Sequence, residues 1–140
     1  MKRFLAMDYG DKRIGLAVSD PLNLTAQQIP FIFNTLQTVN EKELFEKLHV
    51  IIENYNVEKI ILGLPLSMKG GDSPKSIQVK AFGALLADKL SCEVNYWDER
   101  VSTIAVTKHL ISADVSRKKR KKVIDSQAAA YILQGYLDSL

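Results

Sequence analysis

Residues 3–19 read RFLAMDYGDKRIGLAVS, and this stretch decides the fold predicted for the chain. Residues 3–8 predict a buried strand, and residues 14–19 predict a second strand of the same apolar character. A polar turn that contains Gly10 separates the two, so we expect them to pair as the arms of a hairpin. The hairpin places Asp8 at the end of its first strand.

Downstream of the hairpin, the pattern predicts one more strand and then alternating helices and strands. Residues 29–33 predict the third strand, and Pro30 favours a place at its start or at a sheet edge. The later patterns predict helix, strand, helix, strand and two further helices, at residues 40–55, 58–63, 73–90, 93–97, 103–111 and 123–139. A meander pairs its strands antiparallel, whereas strands separated by helices pair in parallel. The order therefore predicts an α/β fold with a mixed sheet.

The composition is that of an ordinary soluble domain, and it excludes several protein classes. The 140 residues are 46% hydrophobic and 25% charged, which is enough apolar material for one domain over residues 1–140. The single cysteine, Cys92, rules out an internal disulfide and fits the reducing cytoplasm. One cysteine and two histidines cannot supply a zinc site at any usual spacing. Asp8 interrupts the short apolar stretch near the N-terminus, so we expect neither a signal peptide nor a membrane span.

Much of the positive charge is concentrated in one run, RKKRKK. The run holds six of the 19 basic residues, which leaves 13 basic residues against 16 acidic ones elsewhere. Such a run of positive charge attracts a polyanion, so nucleic acid is the predicted partner. A solvated loop with no partner is the alternative. The basic residues expected to contact phosphates without reading sequence are Lys12, Arg13, Arg117, Lys118, Lys119, Arg120, Lys121 and Lys122.

Three acidic residues fall where an α/β sheet collects its functional groups. Asp8 ends the first predicted strand, and Glu99 directly follows the last one, with Asp98 beside it. The carboxyl ends of neighbouring parallel strands meet at one edge of the sheet. Asp125 falls on the sheet-facing side of the last predicted helix, where an unpaired charge is costly. Clustered carboxylates repel one another unless they hold a hard cation, so the sequence predicts a site for Mg²⁺ or Mn²⁺.

Each of these acids also has a purely structural explanation. Asp8 could be a turn former. Asp98 and Glu99 could be surface acids that pair with Arg100. Asp125 could cap the last helix through its side chain.

A glycine-containing loop at residues 65–74 follows the strand predicted at 58–63. The loop lacks the lysine and hydroxyl pairing of a phosphate-binding P-loop. Lys69 and Lys75 could contact phosphates there, and a plain connector is the alternative.

Four ordered blocks of the sequence resemble a known family. They are MDYGDKRIGLAVSD at the start, IILGLPLSMKGG in the middle, DERVST after the last predicted strand and RKKRKKVIDSQAAAYILQGYLD at the end. Together they resemble the YqgF (RuvX) family of Holliday junction resolvases and pre-ribosomal-RNA nucleases. The resemblance implies an RNase H-like fold, with a five-stranded sheet in the order 3-2-1-4-5 and flanking helices. It also implies catalytic acids at Asp8, Glu99 and Asp125, a requirement for Mg²⁺ or Mn²⁺, and a role at the 5′ end of the 16S ribosomal RNA precursor.

The activity expected from the residues and the resemblance is hydrolysis of phosphodiester bonds in structured nucleic acid. Two metal ions about 3.5–4 Å apart would hold the attacking water and the leaving oxygen. Resolution of branched DNA would need a symmetric homodimer, whereas trimming of precursor ribosomal RNA would work as a monomer. A non-catalytic nucleic-acid-binding factor is a further alternative. An ATP-binding phosphotransfer protein is another, but it would need a second domain of this fold.

Overall fold

The computed structural model describes residues 2–36, 41–99, 111–120 and 127–140. The strands in this part of the chain are β1 (Arg3–Tyr9), β2 (Arg13–Ser19), β3 (Ala26–Phe33), β4 (Val57–Leu64) and β5 (Glu93–Asp98). The helices are α1 (Glu41–Tyr55), α2 (Pro74–Leu90) and α3 (Ala128–Asp138). Residues 117–120 add one helical turn. Apart from Ile111, the helix predicted at 103–111 lies outside the described residues, as do residues 123–126 of the last predicted helix.

The five strands form one mixed sheet in the order β3-β2-β1-β4-β5, as the resemblance implied. The predicted hairpin is confirmed, because β1 pairs antiparallel with β2, which pairs antiparallel with β3. On its other side, β1 pairs in parallel with β4, and β4 pairs in parallel with β5. The carboxyl ends of β1, β4 and β5 therefore lie at the same edge of the sheet, where α/β folds place their sites.

The two faces of the sheet bury different kinds of side chain. Helices α1 and α2 cover one face, where the buried residues are mostly large, among them Leu5, Met7, Leu62 and Phe82. Helix α3 covers the other face, where several of the buried residues are small, among them Ala6, Ala17 and Ala129. Side chains alternate between the faces of a strand, so Asp8 shares the α3 face with Ala6.

Strand β3 is longer than predicted, because it begins at Ala26 rather than at residue 29. Its first half is polar and is bonded to α3 by side-chain amides. The Ala26 amide donates to Gln134 Oε1 at 2.9 Å, and Gln134 Nε2 donates to the Leu24 carbonyl at 3.1 Å. The Ala130 amide donates to Gln28 Oε1 at 3.0 Å. These bonds to a distant helix, rather than an apolar alternation, hold the polar half of the strand in place.

The second half of β3 lies at the edge of the sheet, past the part of the strand that α3 covers. Its register against β2 shifts between Ile14 and Leu16, and Pro30 lies opposite this irregularity. Proline lacks an amide hydrogen, so it is tolerated at a bulge on an edge strand. Pro30 therefore occupies an edge strand, one of the two places that the sequence favoured.

The start of α2 is fixed by a reciprocal cap. Ser73 Oγ accepts from the Ser76 amide at 3.0 Å, and Ser76 Oγ accepts from the Ser73 amide at 2.8 Å. Pro74 occupies the first turn, where its missing amide hydrogen is harmless. Ser73 Oγ also donates to the Pro65 carbonyl at 2.6 Å. This bond holds the first turn of α2 against the chain that leaves β4, near the carboxyl edge of the sheet.

Among the described residues, no helix has the length and apolar character needed to cross a membrane.

Candidate carboxylate site at the sheet edge

Asp8 and Glu99 meet at the carboxyl edge of the sheet. Asp8 lies within β1, and Glu99 directly follows β5. Their side chains share a hydrogen bond. Burial raises the pKa of Glu99 to about 8, and the charge of Asp8 and the hydrogen bond with it act in the same direction. The surroundings therefore favour the protonated form of Glu99, and a hydrogen bond between two carboxyl groups needs one proton between them.

Gly63 on β4 makes room for Glu99. A Cβ atom at residue 63 would lie 2.5 Å from Glu99 Oε1 and 2.5 Å from Ile132 Cδ1. Both distances are well inside van der Waals contact, so any side chain here would displace the Glu99 carboxyl or the Ile132 side chain of α3. The absence of a side chain at residue 63 lets the carboxylate and the helix approach the sheet together.

Gly15 on β2 makes room beside Asp8, with which it pairs across the hairpin. A Cβ atom at residue 15 would lie 3.5 Å from Asp8 Cβ and 3.8 Å from Ala129 Cβ, which are ordinary contacts. The space belongs to a cavity of about 340 Å³ that opens from Asp8 toward β3. Its lining includes Asp8, Arg13, Gly15, Gln28, Pro30, Phe31 and Ala129.

Lys75, in the first turn of α2, brings a positive charge to the site. Its Nζ lies 2.7 Å from Asp11 Oδ1 in the hairpin turn and 5.1 Å from the centre of the Tyr9 ring. The hydrogen bond with Lys75 lowers the pKa of Asp11, and the Lys75 charge opposes the rise in the pKa of Glu99. The sequence left Lys75 open between a phosphate contact and a plain connector. The signal that could have placed it was the Ser73-Pro74 helix start, which sets the next residue in the first turn of α2.

Most of the predicted basic residues that the structure describes are exposed. Arg117, Lys118 and Lys119 face solvent, as do Lys12 and Arg13 in and beside the hairpin turn. Arg120 is half-buried, and its guanidinium donates to the Val115 carbonyl at 3.2 Å. Within the described ranges, no ion pair is formed by residues 117–120. Acidic side chains in that part of the chain therefore do not neutralise these positive charges.

Several predicted site residues lie outside the described residues, namely Asp125, Lys121 and Lys122. Arg100, the alternative partner of Glu99, lies outside them as well. Asp8 is an inward-facing member of β1 that bonds to Glu99, so its role is not limited to forming a turn. Of the three predicted acids, the structure therefore brings Asp8 and Glu99 together.

The donor set at this edge fits a hard divalent cation. Two carboxylates that share one proton expose only oxygen atoms once the proton leaves, and Mg²⁺ and Mn²⁺ take oxygen ligands. Within residues 2–36, 41–99, 111–120 and 127–140, no three acidic, histidine or cysteine side chains are grouped for metal binding. A complete ligand set therefore requires a donor beyond this pair. Cys92 is half-buried, and burial raises the pKa of its thiol, which disfavours the thiolate that metals bind.

An exposed aromatic pair lies beside the site, and no local sequence pattern predicted its exposure. Phe31 and Phe33 on β3 are 44% and 60% exposed, and their ring centres lie 5.4 Å apart. Their alternation on an apolar strand, IPFIF, predicted the strand itself. Whether those rings were covered depended on where α3 begins, which no local pattern reports.

Comparison with known proteins identifies the family. Residues 2–139 match the family model RuvX, described as Holliday junction resolvase. A relative from Clostridium botulinum (strain Hall), named "Putative pre-16S rRNA nuclease", is 46% identical over 138 residues, which are 99% of this chain and 98% of the relative.

Two solved structures share the fold at low sequence identity. Thermus thermophilus RuvC in complex with a Holliday junction substrate aligns with a TM-score of 0.59 at 13% identity, over 99% of this chain and 95% of that one. The fowlpox virus Holliday junction resolvase aligns with a TM-score of 0.51 at 16% identity, over 99% of both chains.

These findings confirm three predictions drawn from the sequence. The structural matches confirm the RNase H-like fold, and identities this low carry no more than the fold. The family model and the relative confirm the predicted enzyme class, a nuclease that hydrolyses phosphodiester bonds. Because the match spans nearly the whole chain, this protein belongs to the RuvX family.

Proposed function

We propose that this protein is a metal-dependent nuclease that processes the 5′ end of the 16S ribosomal RNA precursor in the cytoplasm. Residues 1–140 would act as one nuclease domain. The observation that carries the proposal is the hydrogen-bonded pair of Asp8 and Glu99 at the carboxyl edge of the sheet. The name of the relative that is 46% identical favours ribosomal RNA as the substrate.

The proposed metal ligands are Asp8, Glu99 and Asp125, with Mg²⁺ or Mn²⁺ as the cation. A divalent cation bound there would lower the pKa of a water molecule and offset charge on the scissile phosphate. Asp98 adjoins Glu99, and its charge also raises the pKa of that carboxyl.

The protein's own residues prepare the site in two ways. Asp8 and Glu99 share a hydrogen bond, so the proton between them must leave before both carboxylates can act as ligands. The Lys75 ammonium favours that release because it stabilises the ionised form of Glu99. Lys12, Arg13, Arg117, Lys118, Lys119 and Arg120, together with Lys121 and Lys122, would hold the phosphate backbone without reading sequence.

Resolution of Holliday junctions is the second candidate, because the family model carries that description. Two strands of a junction must be cut symmetrically, so this activity requires a homodimer. Trimming of an RNA end requires one copy. The oligomeric state of the active species therefore discriminates between the two substrates.

The experiment compares cleavage of a 16S precursor fragment and of a four-way DNA junction, each with Mn²⁺. We expect cleavage at the 5′ side of the RNA, and none in EDTA. Asp8→Asn should lower the cleavage rate by roughly three orders of magnitude or more, because ligands that act as a unit cannot replace one another. Mn²⁺ should raise the melting temperature of the wild type by mass action, but not that of Asp8→Asn.

Asp88→Asn, which alters an exposed acid on α2, is the matched control and should cleave normally. Asp125→Asn separates the two roles of that residue, since asparagine is also a good helix cap but a poor ligand. Undiminished cleavage by Asp8→Asn, or after thorough chelation, would reject the mechanism. Tight RNA binding without cleavage under any metal would favour the non-catalytic alternative.

A further inference from the structure

The exposed aromatic pair on β3 shares the face of the sheet that carries Asp8. Asp8 pairs with Gly15 across β1 and β2, and Arg13 pairs with Phe33 across β2 and β3. Residues that pair, and residues two apart on a regular stretch of strand, point to the same face, which puts Arg13 and Phe33 with Asp8. Phe31 lies at the register shift of β3, and its ring contact with Phe33 and its place beside Asp8 in the cavity lining put it on the same surface. Asp8, Arg13, Phe31 and Phe33 therefore line one surface that crosses three adjacent strands.

A single cavity joins the acid to the first aromatic ring. Its lining contains both Asp8 and Phe31. Two inter-strand spacings separate β1 from β3, about 10 Å in all. Stacked nucleotides in one strand rise by about 3.4 Å each, so roughly three of them would span this distance.

Helix α3 leaves this end of β3 uncovered. The side-chain amides that tie β3 to α3 reach only residues 24–28, and α3 begins at Ala128. Phe31 and Phe33 consequently keep 44% and 60% of their surface in solvent. Large aromatic surfaces beside a polar cleft are costly to leave uncovered, and they commonly mark a binding site.

Arg13 is arranged to support a stacked base. Its Cζ lies 4.8 Å from the centre of the Phe31 ring, within cation–π distance. The Phe33 ring meets Phe31 edge to face at 85°, which restrains the orientation of Phe31. A positively charged side chain next to an aromatic face is the combination that single-stranded nucleic acid binds, through its phosphate and its base.

We propose that Phe31, supported by Arg13 and Phe33, is a stacking platform for an unpaired base of the substrate, within about three nucleotides of the phosphate held near Asp8. The inference rests on the nuclease function proposed above and narrows its substrate to strands that are unpaired beside the cut. A duplex keeps its bases stacked on one another, so it cannot place one on Phe31.

The test measures binding of a short single-stranded RNA that carries 2-aminopurine, with no metal and in the Asp8→Asn background, so that the strand stays intact. Stacking on Phe31 should quench the fluorescence of the base. Phe31→Ala should remove the quenching and weaken binding roughly 5- to 150-fold. Phe31→Trp should preserve both. A blunt RNA duplex of the same length should bind equally well to the Asp8→Asn parent and to the two Phe31 variants made in it.

Leu22→Ala is the matched control, because Leu22 is an exposed apolar residue (63%) outside the cavity lining. It should bind the single strand as tightly as the parent. Phe31→Ala should leave the salt dependence of binding unchanged, whereas Arg13→Gln should reduce its slope by about 0.7. Equal losses on strand and duplex, no loss on the strand, or a change in oligomeric state with unchanged strand affinity would each overturn the platform.

The platform and the nuclease function can fail separately. If Asp8→Asn still cleaves while Phe31→Ala no longer binds the single strand, the proposed mechanism is wrong and the stacking platform is supported. If Asp8→Asn is inactive while Phe31→Ala binds normally, the platform alone is wrong.

Discussion

The two faces of the sheet differ in the side chains that they bury and in what those side chains do. Beneath α1 and α2, large side chains such as Leu62 and Phe82 are almost fully shielded from solvent. Beneath α3, small residues and glycines keep space open, and Asp8 and Glu99 occupy it. One strand serves both faces, because Leu62 and Gly63 are neighbours on β4 that point in opposite directions. The comparison suggests that one face supplies the stability with which the other holds two carboxylates together.

Leu62→Ala should have the largest effect on stability. Leu62 is fully buried in the large-residue face, and truncation there leaves a cavity. The free energy of unfolding should fall by about 2–5 kcal/mol, as for other buried leucines. Urea denaturation measures this loss, and the remaining folded protein should still bind Mn²⁺. A loss below about 1 kcal/mol would mean that this face does not dominate the stability.

At the next residue of β4, Gly63→Ala should affect Mn²⁺ binding more than stability. The new methyl group would overlap Glu99 Oε1 and Ile132 Cδ1, which are the ends of flexible side chains. They can move, so the stability loss should stay within about 1–3 kcal/mol, the usual range for overpacking. The Glu99 carboxyl is displaced, however, and both Mn²⁺ binding and cleavage should drop at least tenfold.

Gly15→Ala is the control for this substitution, because a Cβ there makes only ordinary contacts. It should change stability by less than about 1 kcal/mol and leave Mn²⁺ binding intact. If the two alanine variants behaved alike, the close approach at Gly63 would not be the reason for its glycine.

A last expected effect is on the pH dependence of stability without metal. The pKa of Glu99 is raised in the folded state, so the folded protein keeps a proton that the unfolded chain releases between about 4.5 and about 8. The contribution of Glu99 to stability should therefore be fully present below this window and be lost as the pH rises through it. Melting curves in EDTA measure this loss. Asp8→Asn should make this loss of stability with rising pH smaller, whereas Glu58→Gln, at an exposed position on β4, should not change it.

The sequence predicted the parts of this molecule that depend on local pattern. The hairpin, the alternation of helices and strands, and the convergence of Asp8 with Glu99 all follow from residue periodicity and from where strands end. The start of β3 at Ala26 did not, because Gln28 and Gln134 hold those polar residues through bonds to α3. The Lys75–Asp11 ion pair spans 64 positions, and no local pattern reports a contact of that range.

The amide of Gln134 has a consequence for how copies of this chain meet. It accepts from the Ala26 amide and donates to the Leu24 carbonyl, so it satisfies polar backbone groups that another strand would otherwise pair with. Pro30 has no amide hydrogen to offer further along the same strand. An open sheet edge invites strand addition and aggregation, and this chain blunts its β3 edge by two separate means. Fewer backbone groups are thus free to pair with another strand at the edge that carries the two exposed phenylalanines.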